Sequence, residues 1–193
     1  MITDFDAIVL AGGRGSRLGL PSKPDLVVGG RRLLDIALAA VHAAGRIVVV
    51  GPVEVPEGVA RTLEDPPFGG PVAGVQAGFE AFVEHAPWTV LLASDLPGAE
   101  AGVATLLRYE PLADDEGVCL LDGDGRMQWL LGCYRTEALR QRLSERGDPP
   151  LTALYGLLEP LRLVGLPTTA DVVEDIDTPE DIARSVRRAE GGS

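Results

Sequence analysis

The chain has 193 residues, long enough for one domain with a sizeable core, and its 46% apolar content and mean hydropathy of +0.15 exclude a disordered chain. A formal net charge of −12 argues against a nucleic-acid or anionic-membrane partner. It also obliges any phosphate site to create local positive potential against the overall field, and so makes a divalent cation an expected helper.

Ala7 to Leu10 reads as a buried strand that runs straight into a glycine-rich loop, IVLAGGRGSRLGLPSK, from Ile8 to Lys23. Gly12, Gly13, Gly15 and Gly19 alternate there with Arg14, Arg17 and Lys23. Glycines remove the Cβ atoms that would keep an anion from backbone N–H groups, and fixed cations neutralise phosphate charge. Three cations within ten residues, out of 17 Lys and Arg in the chain, point to a nucleotide triphosphate site. Two familiar phosphate templates do not fit. The dinucleotide fingerprint would start at Gly13 but ends on Leu18, and the P-loop pattern fails because Lys23 follows Ser22 and precedes Pro24.

After the loop, Leu26 to Val28 is extended and Gly29-Gly30 turns the chain. Leu33 to Val41 carries a wide apolar helical face, with Gly45 as its stop, and Ile47 to Val50 is a second buried strand ended by Gly51-Pro52. Such a strand–helix–strand unit implies parallel strands and a right-handed crossover. Val59 to Leu63 reads as a third strand that delivers Glu64 and Asp65 to its end, and Pro71 suits the first turn of the next helix. On that helix Gly74, Ala77 and Gly78 leave one face bare, which suits either close packing or contact with a ligand.

Thr89 to Ala93 is the most apolar strand, and it ends in Ser94-Asp95-Leu96-Pro97. A helix over Gly102 to Tyr109 follows, and then Gly117 to Leu121 and Met127 to Tyr134 form a hairpin about the turn DGDG. Helices at Glu137 to Glu145 and Leu151 to Leu158 and a strand at Leu161 to Leu166 come next. Thr178, Pro179 and Asp181 then make a helix start close to a capping box. Alternating strands and helices with unalternated apolar strands predict an α/β fold: a three-layer, doubly wound, mostly parallel, Rossmann-like sheet. One domain over residues 1–188 is expected, with a flexible tail at 189–193.

Strand-end acids fall at Asp65, at Asp95 and at Asp175 and Asp177, where open α/β sheets bind ligands. Carboxylates beside phosphates are the usual cage for Mg²⁺, with Asp95 and Asp177 as the expected metal ligands. Arg17 and Lys23 would stabilise charge on a triphosphate and its departing pyrophosphate. Other chemistries find little support. Both histidines, His42 and His85, fall where helices are expected, and no nucleophile-elbow or Cys–His signature appears. Cys119 and Cys133 match no metal or redox spacing and read as reduced and buried. No apolar run reaches the length of a membrane span, and a cytoplasmic protein is expected.

LAGGRGSRLG (Leu10 to Gly19) with Lys23 resembles the signature loop of nucleotidyltransferases with the nucleotide-diphospho-sugar transferase fold. With EDPPFGGPVAG (Glu64 to Gly74), SDLP (Ser94 to Pro97) and DIDTPED (Asp175 to Asp181) in the family's order, the chain is most similar to molybdenum cofactor guanylyltransferases. The resemblance implies that Leu10, Ala11, Gly12 and Gly13 hold the nucleotide with Lys23 on its phosphates. It further implies that Asp65 lies near the base or ribose and that Asp95 carries Mg²⁺ and touches the nucleotide. The implied reaction joins GTP to molybdenum-bound molybdopterin and releases pyrophosphate; a monomer or weak homo-oligomer is expected.

The sequence departs from the subfamily's pattern at Ser22, at Gly51 where a polar residue usually contacts the nucleotide, and at Asp175-Ile176-Asp177. It departs again at QWLLGCY (Gln128 to Tyr134), in the place of a stretch associated with the pterin acceptor. Two other readings remain open: cytidylyl or other nucleotidyl transfer to a pterin, isoprenoid, sugar phosphate or phospholactate, and a non-catalytic nucleotide-binding module.

Overall fold

A computed structural model describes residues 1–12, 23–65, 69–145, 153–176 and 178–191. Its centre is β1 (Phe5–Leu10), six residues that are all buried. Alternate residues of β1 serve opposite layers. Ala7 and Val9 enter one core with Leu33, Leu34, Val103 and Leu106. Ile8 and Leu10 enter a second core with Val72, Val75, Leu139 and Leu157. A strand buried on both faces favours an unbroken apolar run, as in Ala7 to Leu10, and its one buried charge, Asp6, is satisfied by the Ala86 N–H at 2.7 Å and by Arg46 at 3.3 Å. Each fully buried aliphatic side chain contributes about 1.5–3 kcal/mol, so these two layers supply most of the drive to fold.

The hairpin of β2 (Val27–Val28) and β3 (Arg31–Arg32) turns on Gly29 and Gly30, both with positive φ, 58° and 80°. That is the two-residue turn that matches strand twist, and only glycine adopts it without strain. Helix α1 (Leu33–Ala40) follows at once and leads to β4 (Ile47–Val50) and then β5 (Ala60–Thr62). The helix ends at Ala40, short of the expected stop, while Gly45 passes its N–H to the Phe5 carbonyl. Next come α2 (Pro71–Glu80), β6 (Trp88–Ala93) and α3 (Ala99–Arg108). Then β7 (Gly117–Leu121) and β8 (Met127–Arg135) form the expected hairpin, followed by α4 (Thr136–Ser144) and α5 (Leu154–Leu158). The chain closes through β9 (Leu163–Pro167), α6 (Ala170–Val173) and α7 (Pro179–Gly191).

The seven-stranded sheet runs β5-β4-β1-β6-β8-β7-β9. β8 alone is antiparallel to its neighbours, so the sheet is mostly parallel, with helices on both faces. The chain builds outward from β1 through β4 to β5, then returns to lay β6 on the other side of β1. That reversal is a topological switch point, and the crevice outside the carboxyl ends of β1 and β6 is where such sheets bind ligands.

The bare face of α2 is used for packing. A Cβ on Gly78 would lie 2.5 Å from Ile8 Cγ2 and 3.0 Å from Val50 Cγ2, and one on Gly74 would lie 3.2 Å from Leu10 Cδ2. Thr178 and Asp181 form a reciprocal cap at the start of α7: Thr178 N–H donates to Asp181 Oδ2 (2.7 Å) and Asp181 N–H to Thr178 Oγ1 (3.3 Å). Asp122 closes the DGDG turn by accepting the Asp124 and Arg126 N–H groups at 2.9 Å, so this segment is a turn.

The histidines correct an expectation. Neither lies within a helix: His42 sits in the turn after α1 and His85 in the loop after α2. His85 stacks on Phe79 with ring centroids 4.3 Å apart, a packing role. Both cysteines are free and buried. Among the described residues no helix is long and apolar enough to cross a membrane.

Candidate functional site

The ladders that end β1 continue past it. Ala11 N–H donates to the Val50 carbonyl at 2.8 Å, and Ser94 N–H donates to the Leu10 carbonyl at 3.1 Å. These bonds fix the chain where it leaves the sheet at Leu10, Ala11 and Gly12. Leu10 and Ala11 are buried, whereas Gly12 is exposed, and a Cβ there would meet nothing within 4 Å.

Gly51 has the opposite surroundings. A Cβ on it would stand 2.4 Å from the Ala11 carbonyl oxygen and 2.6 Å from its carbon, with φ at +153°. The absence of a side chain at this position is therefore a packing requirement: the turn after β4 lies against the backbone that leaves β1.

Asp95 lies at the carboxyl end of β6, half-buried, beside the buried Ser94. Lys23 Nζ reaches it from the far end of the glycine-rich loop, 3.3 Å from Asp95 Oδ2, with side chains 15% and 23% exposed. Lys23 is held from behind. Its carbonyl accepts Leu26 N–H (3.0 Å), the Pro24 carbonyl accepts Leu34 N–H (3.0 Å), and Arg32 pairs with Asp25 (3.2 Å) and Asp35 (3.0 Å). On the other side, Ile176 N–H donates to the Asp95 carbonyl at 3.1 Å, which draws the segment after α6 to the end of β6. A Cβ on Gly98 would clash with α6 itself at Asp171 O and Val172 Cα, both 2.6 Å away, so glycine permits this helix to approach.

The structure thus brings Lys23, Asp95, Ala11 and the Ile176 segment together. Asp65 is exposed, three residues past the end of β5, the sheet's edge strand, which itself lies three strand spacings or roughly 14 Å from β6. The neighbouring Glu64 reaches inward, its Oε2 3.9 Å from where a Gly74 Cβ would be. Gly13, Arg17 and Asp177 lie outside the described residues.

Beyond Asp95 a cavity of about 580 Å³ opens over β6, β8 and β7, with Asp122, Met127, Trp129, Leu131 and Leu154 in its lining. The sequence marked Gln128 to Tyr134 as a departure from the subfamily's pattern, but not that Gln128 to Leu131 line a cavity. The available signal was the glycine in LLGCY: a Cβ on Gly132 would lie 2.6 Å from the Tyr134 hydroxyl and 2.7 Å from Cys119 Sγ.

Among the described residues no group of three or more His, Cys, Asp or Glu side chains could hold a metal on its own. The donor set nevertheless fits a magnesium ion, which takes one or two protein carboxylates and completes its shell with phosphate oxygens and water. Asp95, beside a lysine suited to phosphate, is that kind of ligand.

Comparison with known proteins decides the family. A profile of the MobA-like NTP transferase domain matches residues 7–161. The chain belongs to this family. Within it, the chain is 25% identical to the molybdenum cofactor guanylyltransferase of Bradyrhizobium sp. (strain ORS 278), over 97% of this chain and 94% of that one. It is 27% identical to the molybdenum cofactor guanylyltransferase of Rhodopseudomonas palustris (strain HaA2), over 93% and 89%. Its fold is that of the molybdopterin-guanine dinucleotide biosynthesis protein A of Archaeoglobus fulgidus, with TM-score 0.71, 19% identity and 96% and 99% coverage. The 2-C-methyl-D-erythritol 4-phosphate cytidylyltransferase of Thermus thermophilus shares it at TM-score 0.67, with 21% identity and 97% and 99% coverage. The chain is therefore a nucleotidyltransferase with a nucleotide-diphospho-sugar transferase type of α/β fold.

Proposed function

We propose that this nucleotidyltransferase is a Mg²⁺-dependent guanylyltransferase that moves GMP from GTP onto the phosphate of molybdenum-bound molybdopterin and releases pyrophosphate. The observation that carries the reading is the Lys23–Asp95 pair at the switch point, with the exit of β1 on one side and a large cavity on the other. The names of the curated relatives supply the choice of nucleotide and acceptor.

In this reading the backbone from Leu10 to Gly13 receives the triphosphate, and Arg17 and Lys23 neutralise it. Asp65, beyond the edge strand β5, takes the base or ribose end. Asp95, with Asp177, would hold Mg²⁺, which when bound would draw charge from the phosphates and orient them. An oxygen of the acceptor phosphate attacks the α-phosphorus, the bond to the β-phosphate breaks, and pyrophosphate leaves. The acceptor is already an anion, so no strong general base is required, and positioning with charge neutralisation supplies the rate.

The second reading keeps the chemistry with CTP, in line with the fold shared with a cytidylyltransferase. Thermal melting with Mg²⁺ and each NTP in turn tests the choice, because a ligand that binds only the native state raises Tm. GTP raising Tm most, with the effect lost in Lys23→Met, supports guanylyl transfer. CTP raising it most selects the second reading, and no rise with any NTP refutes both.

A further inference from the structure

The segment behind Lys23 is built onto the start of α1. A helix leaves its first N–H groups without intrahelical partners. Here the Leu33 N–H donates to the Leu26 carbonyl at 2.8 Å, and the Leu34 N–H donates to the Pro24 carbonyl at 3.0 Å. The chain that follows Lys23 therefore caps α1, in place of the side chain of its N-cap residue, Arg32.

That leaves the Arg32 side chain for another task, and it spans three segments. Nη1 donates at 3.2 Å to Oδ1 of Asp25, two residues past Lys23. Nε and Nη2 donate to Asp35 Oδ1, in the first turn of α1, at 3.1 and 3.0 Å. Nη2 also donates to the Glu54 carbonyl at 3.3 Å. That carbonyl belongs to the loop after β4, which the buried Val53 anchors in the core and which begins at the Gly51 turn against the exit of β1. One planar guanidinium with a fixed fork of donors joins the Lys23 segment, α1 and the Gly51 loop. Its neighbour Arg31 differs: it pairs with Glu100 of α3 at 2.7 Å, and its side chain is 46% exposed against 24% for Arg32.

Charge adds to the argument. A carboxylate at Asp25 repels a triphosphate and attracts the Lys23 ammonium away from it. Arg32 engages that carboxylate. Lysine carries its charge on a flexible stem, so where the ammonium can reach is set by where its backbone is held.

We propose that Arg32 is a positioning residue for Lys23: by tying Asp25 to α1 and to the Glu54 carbonyl, it fixes the backbone from which Lys23 reaches the triphosphate. The proposal rests on the transferase reading and adds to it a residue that acts through Lys23 and touches no substrate.

Calorimetric titration of the full-length protein with GTP and with GMP, both with Mg²⁺, tests it, because the pyrophosphate charge assigned to Lys23 is present only in GTP. Arg32→Met should weaken GTP roughly fivefold and leave GMP within about twofold of wild type. Asp25→Ala should weaken GTP as well, although it removes a negative charge whose loss alone would tighten an anion. Arg31→Met, the same charge loss on the same hairpin, should leave both ligands within about twofold. In Lys23→Met protein, adding Arg32→Met should change GTP affinity by less than about twofold, which a merely structural role does not produce. Arg32→Lys keeps the charge but cannot span three acceptors, and its GTP affinity should lie nearer Arg32→Met than wild type. If Arg32→Met does not fold, Asp25→Ala and Arg32→Lys decide the matter. Equal weakening of GTP and GMP, unchanged GTP affinity in Arg32→Met, tighter GTP in Asp25→Ala, an equal loss in Arg31→Met, or a full Arg32→Met effect without Lys23 overturns the proposal. In each of those cases GTP binding by wild-type protein leaves the transferase reading standing, whereas wild-type protein that binds no nucleotide removes both.

Discussion

Replacing Gly51 by alanine disturbs the site without touching any charged group. The added Cβ would sit 2.4 Å from the Ala11 carbonyl oxygen and 2.6 Å from its carbon, and both are backbone atoms that no rotamer change can move aside. Overpacking of this kind costs about 1–3 kcal/mol, and holding alanine at a φ of +153° costs on the order of 1 kcal/mol more. The sum is about 3 kcal/mol, which in a domain of this length lowers Tm by roughly 6–12 °C. The displaced chain must also loosen the 2.8 Å bond from Ala11 to Val50, so nucleotide affinity should fall about tenfold even though no contact residue has changed. Scanning calorimetry and GTP titration of Gly51→Ala and Gly51→Asn measure both effects, and asparagine should be no better tolerated than alanine. A Tm within a degree of wild type, or tighter GTP binding by Gly51→Asn, would show that the turn after β4 does not press on the exit of β1.

Three further outcomes are expected. Asp95→Ala should abolish turnover and leave the circular dichroism spectrum unchanged; retained activity removes Asp95 from the metal assignment. The His85 imidazole is held below its ordinary range by burial first and by Arg140 second. The unfolded chain therefore takes up this proton first as pH falls through about 6.5, and stability is lost in that window. His85→Phe should lose less Tm than wild type between about pH 7.5 and 5.5, and an equal loss refutes the assignment. Cys119 and Cys133 are fully buried, with both thiols raised by burial, so a thiol reagent should label neither in the native protein and both after denaturation.

Much of this architecture was legible because the sheet is buried on both faces. Apolar runs such as IVLA and TVLLA can occupy only central strands, and Gly29-Gly30, DGDG and Thr178-Pro179 carry their own turn and cap chemistry. The bounds of α1 and α3 moved because tertiary contacts end helices: Gly45 serves the Phe5 carbonyl, and Gly98 admits the backbone of α6 at the start of α3. Of the candidate site, the place of Asp95 after a central strand was legible, whereas its pairing with Lys23 was not, because it depends on how the chain returns from the glycine-rich loop to the end of β6. The bulge in β8 at Trp129, where Cys119 faces Gly132 and Leu120 faces Gln128, was not readable either. It depends on the register between β7 and β8 and on the hydroxyl of a tyrosine five residues away, and neither leaves a periodic trace in the sequence.

The central claim concerns which nucleotide is transferred and to what. Pyrophosphate release by the full-length protein, measured with GTP or CTP in the presence and absence of molybdenum-bound molybdopterin, tests it most directly. The account predicts release that requires GTP, Mg²⁺ and the acceptor together, and that disappears in Asp95→Ala. Release that prefers CTP, or that is indifferent to the acceptor, would contradict it.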